Sequence, residues 1–143
     1  MKIISHRGNL NGRVPEMENH PKHIISAVYA GYDVEVDVWS IDGEFFLGHD
    51  HPQYSVELSW IRKFPLWCHA KNIEAFSRLL EYGIHCFWHD RDMFTLTSCG
   101  IPWCYPGNWI KGGVTVVKDF LLISPPSHIF GVCVDDPIRW SEL

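Results

Sequence analysis

The sequence predicts an α/β fold in which a mainly parallel sheet is covered by helices. Apolar, β-rich runs alternate with amphipathic segments that carry helix start and stop signals. The 143 residues, 46% hydrophobic, suit one domain over 1–143 and exclude a disordered or collagen-like chain. The order of elements fits a barrel and an open sheet equally well.

Residues 2–5 form a short strand that ends at His6-Arg7-Gly8, where Gly8 would let a ligand approach the backbone. Residues 9–18, rich in Asn, Gly and Pro, form a loop. Asn19 is placed to cap a helix with Pro21 in its first turn, an apolar stripe of Ile24, Ile25, Val28 and Tyr29, and a stop at Gly31. Residues 33–39 alternate strictly as a strand, and Asp42-Gly43 turns the chain into a hairpin with 44–47. Ser55 is expected to cap a short helix running to about Arg62. A strand over 66–70 follows, then a helix capped by Asn72, with Ile73, Phe76, Leu79 and Leu80 on one face and Gly83 ending it. Further strands are expected over 84–88, 101–105, 114–117 and 129–134, with a brief helix over 92–98.

Composition narrows the function. Twelve Lys and Arg against 17 Asp and Glu leave no basic excess for a nucleic-acid backbone. No apolar run approaches the roughly 18 residues of a membrane span, and no signal region opens the chain, so a cytoplasmic protein is expected. The five cysteines are odd in number and lack C-x-x-C spacing, and Cys68, Cys86, Cys104 and Cys133 fall in strands; they are expected as reduced, buried apolar groups.

In the strand 33–39, Val34, Val36 and Val38 share one face and Asp33, Glu35, Asp37 and Trp39 the other. Three carboxylates on one face repel one another unless solvent or a cation intervenes. Either this is a solvated edge face, or Glu35 and Asp37 reach one divalent cation. On mutual repulsion alone, replacing either with Ala should leave the fold intact or slightly stabilised. His69 and Lys71 share a face of the strand 66–70 and its end, His6 and Arg7 end the first strand, and His49 follows the hairpin. In a parallel sheet all of these gather at the C-terminal strand ends. Carboxylates for a cation, imidazoles for proton transfer, and Arg with Lys for an anion together describe phosphodiester chemistry.

The motifs His6-Arg7-Gly8, Pro15-Glu16-Met17-Glu18-Asn19, Asp33-Val34-Glu35-Val36-Asp37-Val38, Asp42-Gly43 and Gly48-His49-Asp50 resemble the amino-terminal signature of the glycerophosphodiester phosphodiesterase family: HRG, PEN, ExDV, a DG turn and HD in this order. The resemblance is specific over residues 6–50, weaker at His69-Ala70-Lys71 (E-x-K in the family), and closes at 131–137, similar to the family's last strand. It implies a TIM barrel of the phosphatidylinositol-phospholipase-C type, His6 and His49 as catalytic acid and base, Glu35 and Asp37 as metal ligands, Arg7 and Lys71 on the phosphate, and Glu18 and Asn19 near the site.

Three departures modify what the resemblance implies. His69 stands where the family has a third metal-binding carboxylate, which moves the expected cofactor from Mg²⁺ or Ca²⁺ towards Mn²⁺ or Zn²⁺. The stretched P-E-M-E-N offers Glu16 and Glu18 for one acidic role, and adjacency to Asn19 favours Glu18. The chain is far shorter than the about 250 residues of a full (β/α)₈ barrel, so a miniature or incomplete barrel with reduced helices in its C-terminal half is expected. Its exposed edges and abundant aromatics suit compensating packing or a homo-oligomer. Trp103 and Tyr105 share parity and can form an aromatic wall for a choline-like head group or pack the core. His85, Phe87 and His89 form another same-face set, which brings His89 near the mouth.

The expected function is therefore metal-dependent hydrolysis of a small glycerophosphodiester-type substrate. The alternatives are a lyase-type phosphodiesterase forming a cyclic phosphate, and a barrel that binds a phosphate ligand without turnover. Two histidines at the acid and base positions argue against the last.

Overall fold

A computed structural model describes residues 1–118 and 124–143, which form ten strands and four helices. Seven strands run parallel in the order β6 (Cys86–Phe87), β5 (Leu66–Ala70), β2 (Asp33–Ile41), β1 (Lys2–His6), β10 (Gly131–Val134), β9 (Val114–Val117) and β8 (Pro102–Cys104). The first half of β2 pairs with β1, and its last residues pair antiparallel with β3 (Glu44–Leu47), which pairs in turn with β4 (Tyr54–Val56). A further strand, β7 (Phe94–Leu96), lies antiparallel to β8.

The two faces of the sheet have opposite characters, as the alternation in β2 requires. Val34, Val36 and Val38 are fully buried under α1 (Pro21–Tyr29) and α3 (Ile73–Glu81), against Ile24, Ala27, Ala75 and Leu79. The other face carries an apolar layer of Ile4, Trp67, Phe87, Trp103, Val114 and Cys133. Above this layer, at the C-terminal strand ends, stand the polar side chains. A third cluster, around Val132, Val134 and Trp140, seats α4 (Pro137–Trp140) outside β10.

The sheet curls without closing. Among the described residues no ladder joins β6 to β8. The gap is spanned by the Ser98 N–H donating to the Cys86 carbonyl (2.8 Å) and by the rings of Phe87 and Trp103 stacked at 4.5 Å. No helix is described between β6 and β10; Pro102, Pro106, Gly107, Gly112 and Gly113 punctuate that stretch. Among the described residues helices are thus reduced in the C-terminal half, and the closed barrel implied by the resemblance is not formed. No described helix is long and apolar enough to cross a membrane.

Several local expectations are corrected. Asn19 does not cap α1: His20 does, its Nδ1 accepting from the Lys22 N–H, while Asn19 is drawn into the site with φ 63°. Ser55 lies in β4, and α2 (Leu58–Lys63) begins after Glu57, because Phe45, Phe46 and Leu47 give Tyr54–Val56 a ladder to join. Residues 94–96 are a strand, since β8 supplies hydrogen bonds that a single turn of helix would lack. Tyr29, Ile73 and Leu80 are exposed, because α1 and α3 cover only β2 and its neighbours through a narrow face. The expected strand 84–88 shrinks to Cys86–Phe87. Cys68, Cys86, Cys104 and Cys133 are buried thiols and Cys99 an exposed one.

Candidate active site

The sharp turn after β1 and the hairpin loop after β3 frame the site. Gly8 (φ 89°) does not make room for a ligand: a Cβ there would press on His23 and the backbone of Ile24, so it lets the turn pack on α1. A Cβ at Gly48 would collide with the His51 carbonyl. Both positions need glycine for close backbone packing, and this fixes where the following residues stand.

Asp37 is the hub. It is fully buried; its Oδ2 accepts from Asn19 Nδ2 (2.8 Å) and lies 3.0 Å from Arg7 Nε. Its N–H donates to Asn19 Oδ1 (2.9 Å), which explains the left-handed backbone of Asn19. Arg7 also donates to Glu18 (3.0 Å), which takes a further bond from Arg13 (2.9 Å). Burial would raise the Asp37 pKa, but His69, Arg7 and Lys71 drive it well below the usual carboxylate range. Burial likewise opposes the charge on Arg7, yet Asp37, Glu35 and Glu18 hold it firmly protonated. The expectation that removing Asp37 leaves the fold intact or slightly stabilised is corrected, since Asp37 neutralises a largely buried guanidinium.

Glu35 stands differently. It is 3% exposed, and its pKa is raised by burial and by Asp37. Its nearest basic nitrogens in ion-pair range are His6 Nε2 and His69 Nδ1, each at 3.8 Å. Glu35 Oε2 and Asp37 Oδ1 are buried without a hydrogen-bond partner. Glu35, Asp37 and His69 each turn one ligand atom into a space where those atoms lie within 4.8 Å of one another. His69 Nε2–H donates to the His89 carbonyl (2.8 Å), which leaves Nδ1 aimed at Asp37 Oδ1, 3.3 Å away. Two buried carboxylates, each with an unpartnered oxygen, beside an imidazole nitrogen fit a divalent cation in charge and donor type.

The two histidines expected as acid and base, His6 and His49, are each anchored through Nδ1. His6 Nδ1–H donates to Asp135 Oδ1 (2.8 Å), and the same oxygen accepts from Asn9 Nδ2 (2.8 Å). Burial works against protonation of His6, but Asp135 and Glu35 outweigh it and raise its pKa. His49, an exposed loop residue, bonds Asp50 through Nδ1 (2.8 Å). Both line one cavity of about 780 Å³ together with Arg7, Glu35, His69, Lys71, His89, Tyr105 and Asp135.

Of the residues singled out from sequence, His6, Arg7, Glu35, His49, His69, Lys71, His89, Trp103 and Tyr105 all line this cavity, with Asp37, Glu18 and Asn19 buried behind them. Lys71 Nζ is 3.8 Å from Asp37 Oδ1. Trp103 is the exception in role: it is 3% exposed, packed on Phe87 and Trp67, and offers no open wall. Asp33 is drawn off by Lys2 and Trp67 (3.0 Å each), so two carboxylates of β2 face the site and not three. Asp135 was missed as a site residue, although an acid pair directly after a buried strand and before Pro137 was the available signal. Comparison with protein families, with curated proteins and with solved structures gives no match to this chain.

Proposed function

We propose that the protein is a divalent-cation-dependent phosphodiesterase, built on an incomplete (β/α) barrel, that hydrolyses a small glycerophosphodiester-type substrate to an alcohol and a phosphomonoester. The observation that carries this reading is a single cavity lined by two imidazoles, each tied by Nδ1 to an aspartate, and by a Glu–Asp–His cluster with unpartnered oxygens. Binding alone needs no such pair. The cavity volume suits a small molecule.

Glu35, Asp37 and His69 would hold the cation, which when bound supplies positive charge to the phosphoryl oxygens. Lys71 and the Arg7 face that remains beside Glu18 and Asp37 add fixed positive charge for the same oxygens. The raised pKa of His6 supports it as the acid, with Nε2–H donated to the departing alkoxide while Asp135 holds the ring. His49, oriented by Asp50, takes the proton of the attacking water. The proton taken by His49 and the one given by His6 balance over a turnover. Hydrolysis of bis-p-nitrophenyl phosphate and of glycerophosphodiesters, with Mn²⁺ or Mg²⁺ and with EDTA, tests the reading. Cation-dependent release of alcohol is expected; no turnover with any divalent cation overturns it.

A further inference from the structure

We propose that the cavity flank built by His89, Tyr105 and Lys118 selects the alcohol half of the substrate, accepting hydroxylated, non-cationic alcohols and rejecting quaternary-ammonium ones. The proposal rests on the phosphodiesterase reading for its substrate class.

The three residues follow β6, β8 and β9 and line the same cavity as the Glu35–Asp37–His69 cluster. Both ring nitrogens of His89 are buried without a hydrogen-bond partner. Leaving them so is costly, which marks His89 as a group that completes its bonds with something outside the chain. A neutral imidazole offers one donor and one acceptor, the complement of a hydroxyl or of two neighbouring hydroxyls. His89 holds this place by its backbone too, since its carbonyl accepts from His69 Nε2.

Tyr105, 45% exposed and 5.3 Å from the His89 ring, is the aromatic residue that a cationic head group would need at this flank. Its neighbour Trp103 is packed away in the layer below. The chain's own Lys118 ammonium already sits 5.6 Å from the Tyr105 ring centroid, and it makes no ion pair among the described residues. A choline-like group would therefore lose the ring face and stand beside a like charge. At that spacing in bulk-water dielectric the repulsion is worth roughly 3-fold, and the displaced cation–π contact about as much again. Asp90, exposed at the same rim, is the competing attraction for a cation.

Two measurements on the full chain decide the matter. The first is calorimetric affinity for glycerol 3-phosphate and phosphocholine, with inorganic phosphate as reference. About 10-fold tighter binding of glycerol 3-phosphate is expected, and Lys118→Gln and His89→Phe should each shrink the ratio, the first by strengthening phosphocholine and the second by weakening glycerol 3-phosphate. The second is wild-type kcat/KM, expected to be higher on glycerophosphoglycerol than on glycerophosphocholine; the reverse order also overturns the subsite. Equal affinities, or a preference for phosphocholine, overturn the subsite whatever the turnover. Failure to hydrolyse bis-p-nitrophenyl phosphate with a divalent cation overturns the phosphodiesterase reading alone, because the affinity ratio still reports on His89 and Lys118.

Discussion

Removing one or the other of the two site carboxylates of β2 should have opposite effects on stability, although they are two residues apart on one strand. Asp37→Ala deletes the reciprocal pair with Asn19 (2.8 and 2.9 Å) and the 3.0 Å contact with Arg7, whose side chain is only 12% exposed. The guanidinium keeps Glu18 but loses the other of its two buried counter-ions, and breaking a buried pair by removing one partner costs about 3–5 kcal/mol. For a chain of this length each kcal/mol moves Tm by roughly 3 °C, so a fall of about 10–15 °C is expected. Glu35→Ala instead removes a buried carboxylate whose Oε2 has no partner and whose pKa is raised by burial and by Asp37. Its Tm in EDTA should be unchanged or higher, while both variants lose the divalent cation. Thermal unfolding of wild type and both variants, with EDTA and with Mn²⁺, provides the measurement. Equal Tm shifts for the two variants in EDTA would refute the assignment of Asp37 as hub and Glu35 as dedicated ligand.

Asp135→Asn should lower the pKa of the His6 imidazole and cut kcat by roughly 10²-fold with little change in KM, read from the pH–rate profile. In EDTA, the stability owed to His6 is fully present below the ordinary histidine pKa of about 6.5 and lost as pH rises through its higher folded value; urea titrations should show this decline in wild type and a weaker one in Asp135→Asn. Asp135, whose pKa is lowered by its bonds to His6 and Asn9 against the effect of burial, acts oppositely: its contribution disappears as pH falls below the carboxylate range. His6→Ala and His49→Ala should each lose on the order of 10²–10⁴-fold in a bell-shaped profile, with the double variant far from additive; full activity in His49→Ala would show that its loop is structural. His69→Glu should tighten Mg²⁺ in calorimetry by supplying a third carboxylate, and unchanged Mg²⁺ and Mn²⁺ affinities in both His69→Glu and His69→Ala would remove the imidazole from the ligand set.

Period-two alternation was enough to find most of this site, because strand parity is a local property of the chain. Val34, Val36 and Val38 against Glu35 and Asp37, and His69 with Lys71 against Cys68 and Ala70, are assigned correctly by counting residues. Helix existence was legible for the same reason in α1 and α3, whose cap and stop residues lie within a few positions. What the sequence could not determine was which partner each polar group finds. Asn19 has the chemistry of a helix cap, and only the folded chain brings Asp37 close enough to claim it. Residues 94–96 have no intrinsic preference strong enough to resist β8, and Ser55 none strong enough to resist β3, so those segments became strands where tertiary hydrogen bonds were on offer. Asp135 and His6 are 129 positions apart, and only the parallel pairing of β1 with β10 sets them 2.8 Å from each other. Whether the sheet closes was decided by tertiary structure for a similar reason. A two-residue β6 has too few backbone groups to form a ladder with β8, so rings and one backbone bond span a gap that no local pattern records.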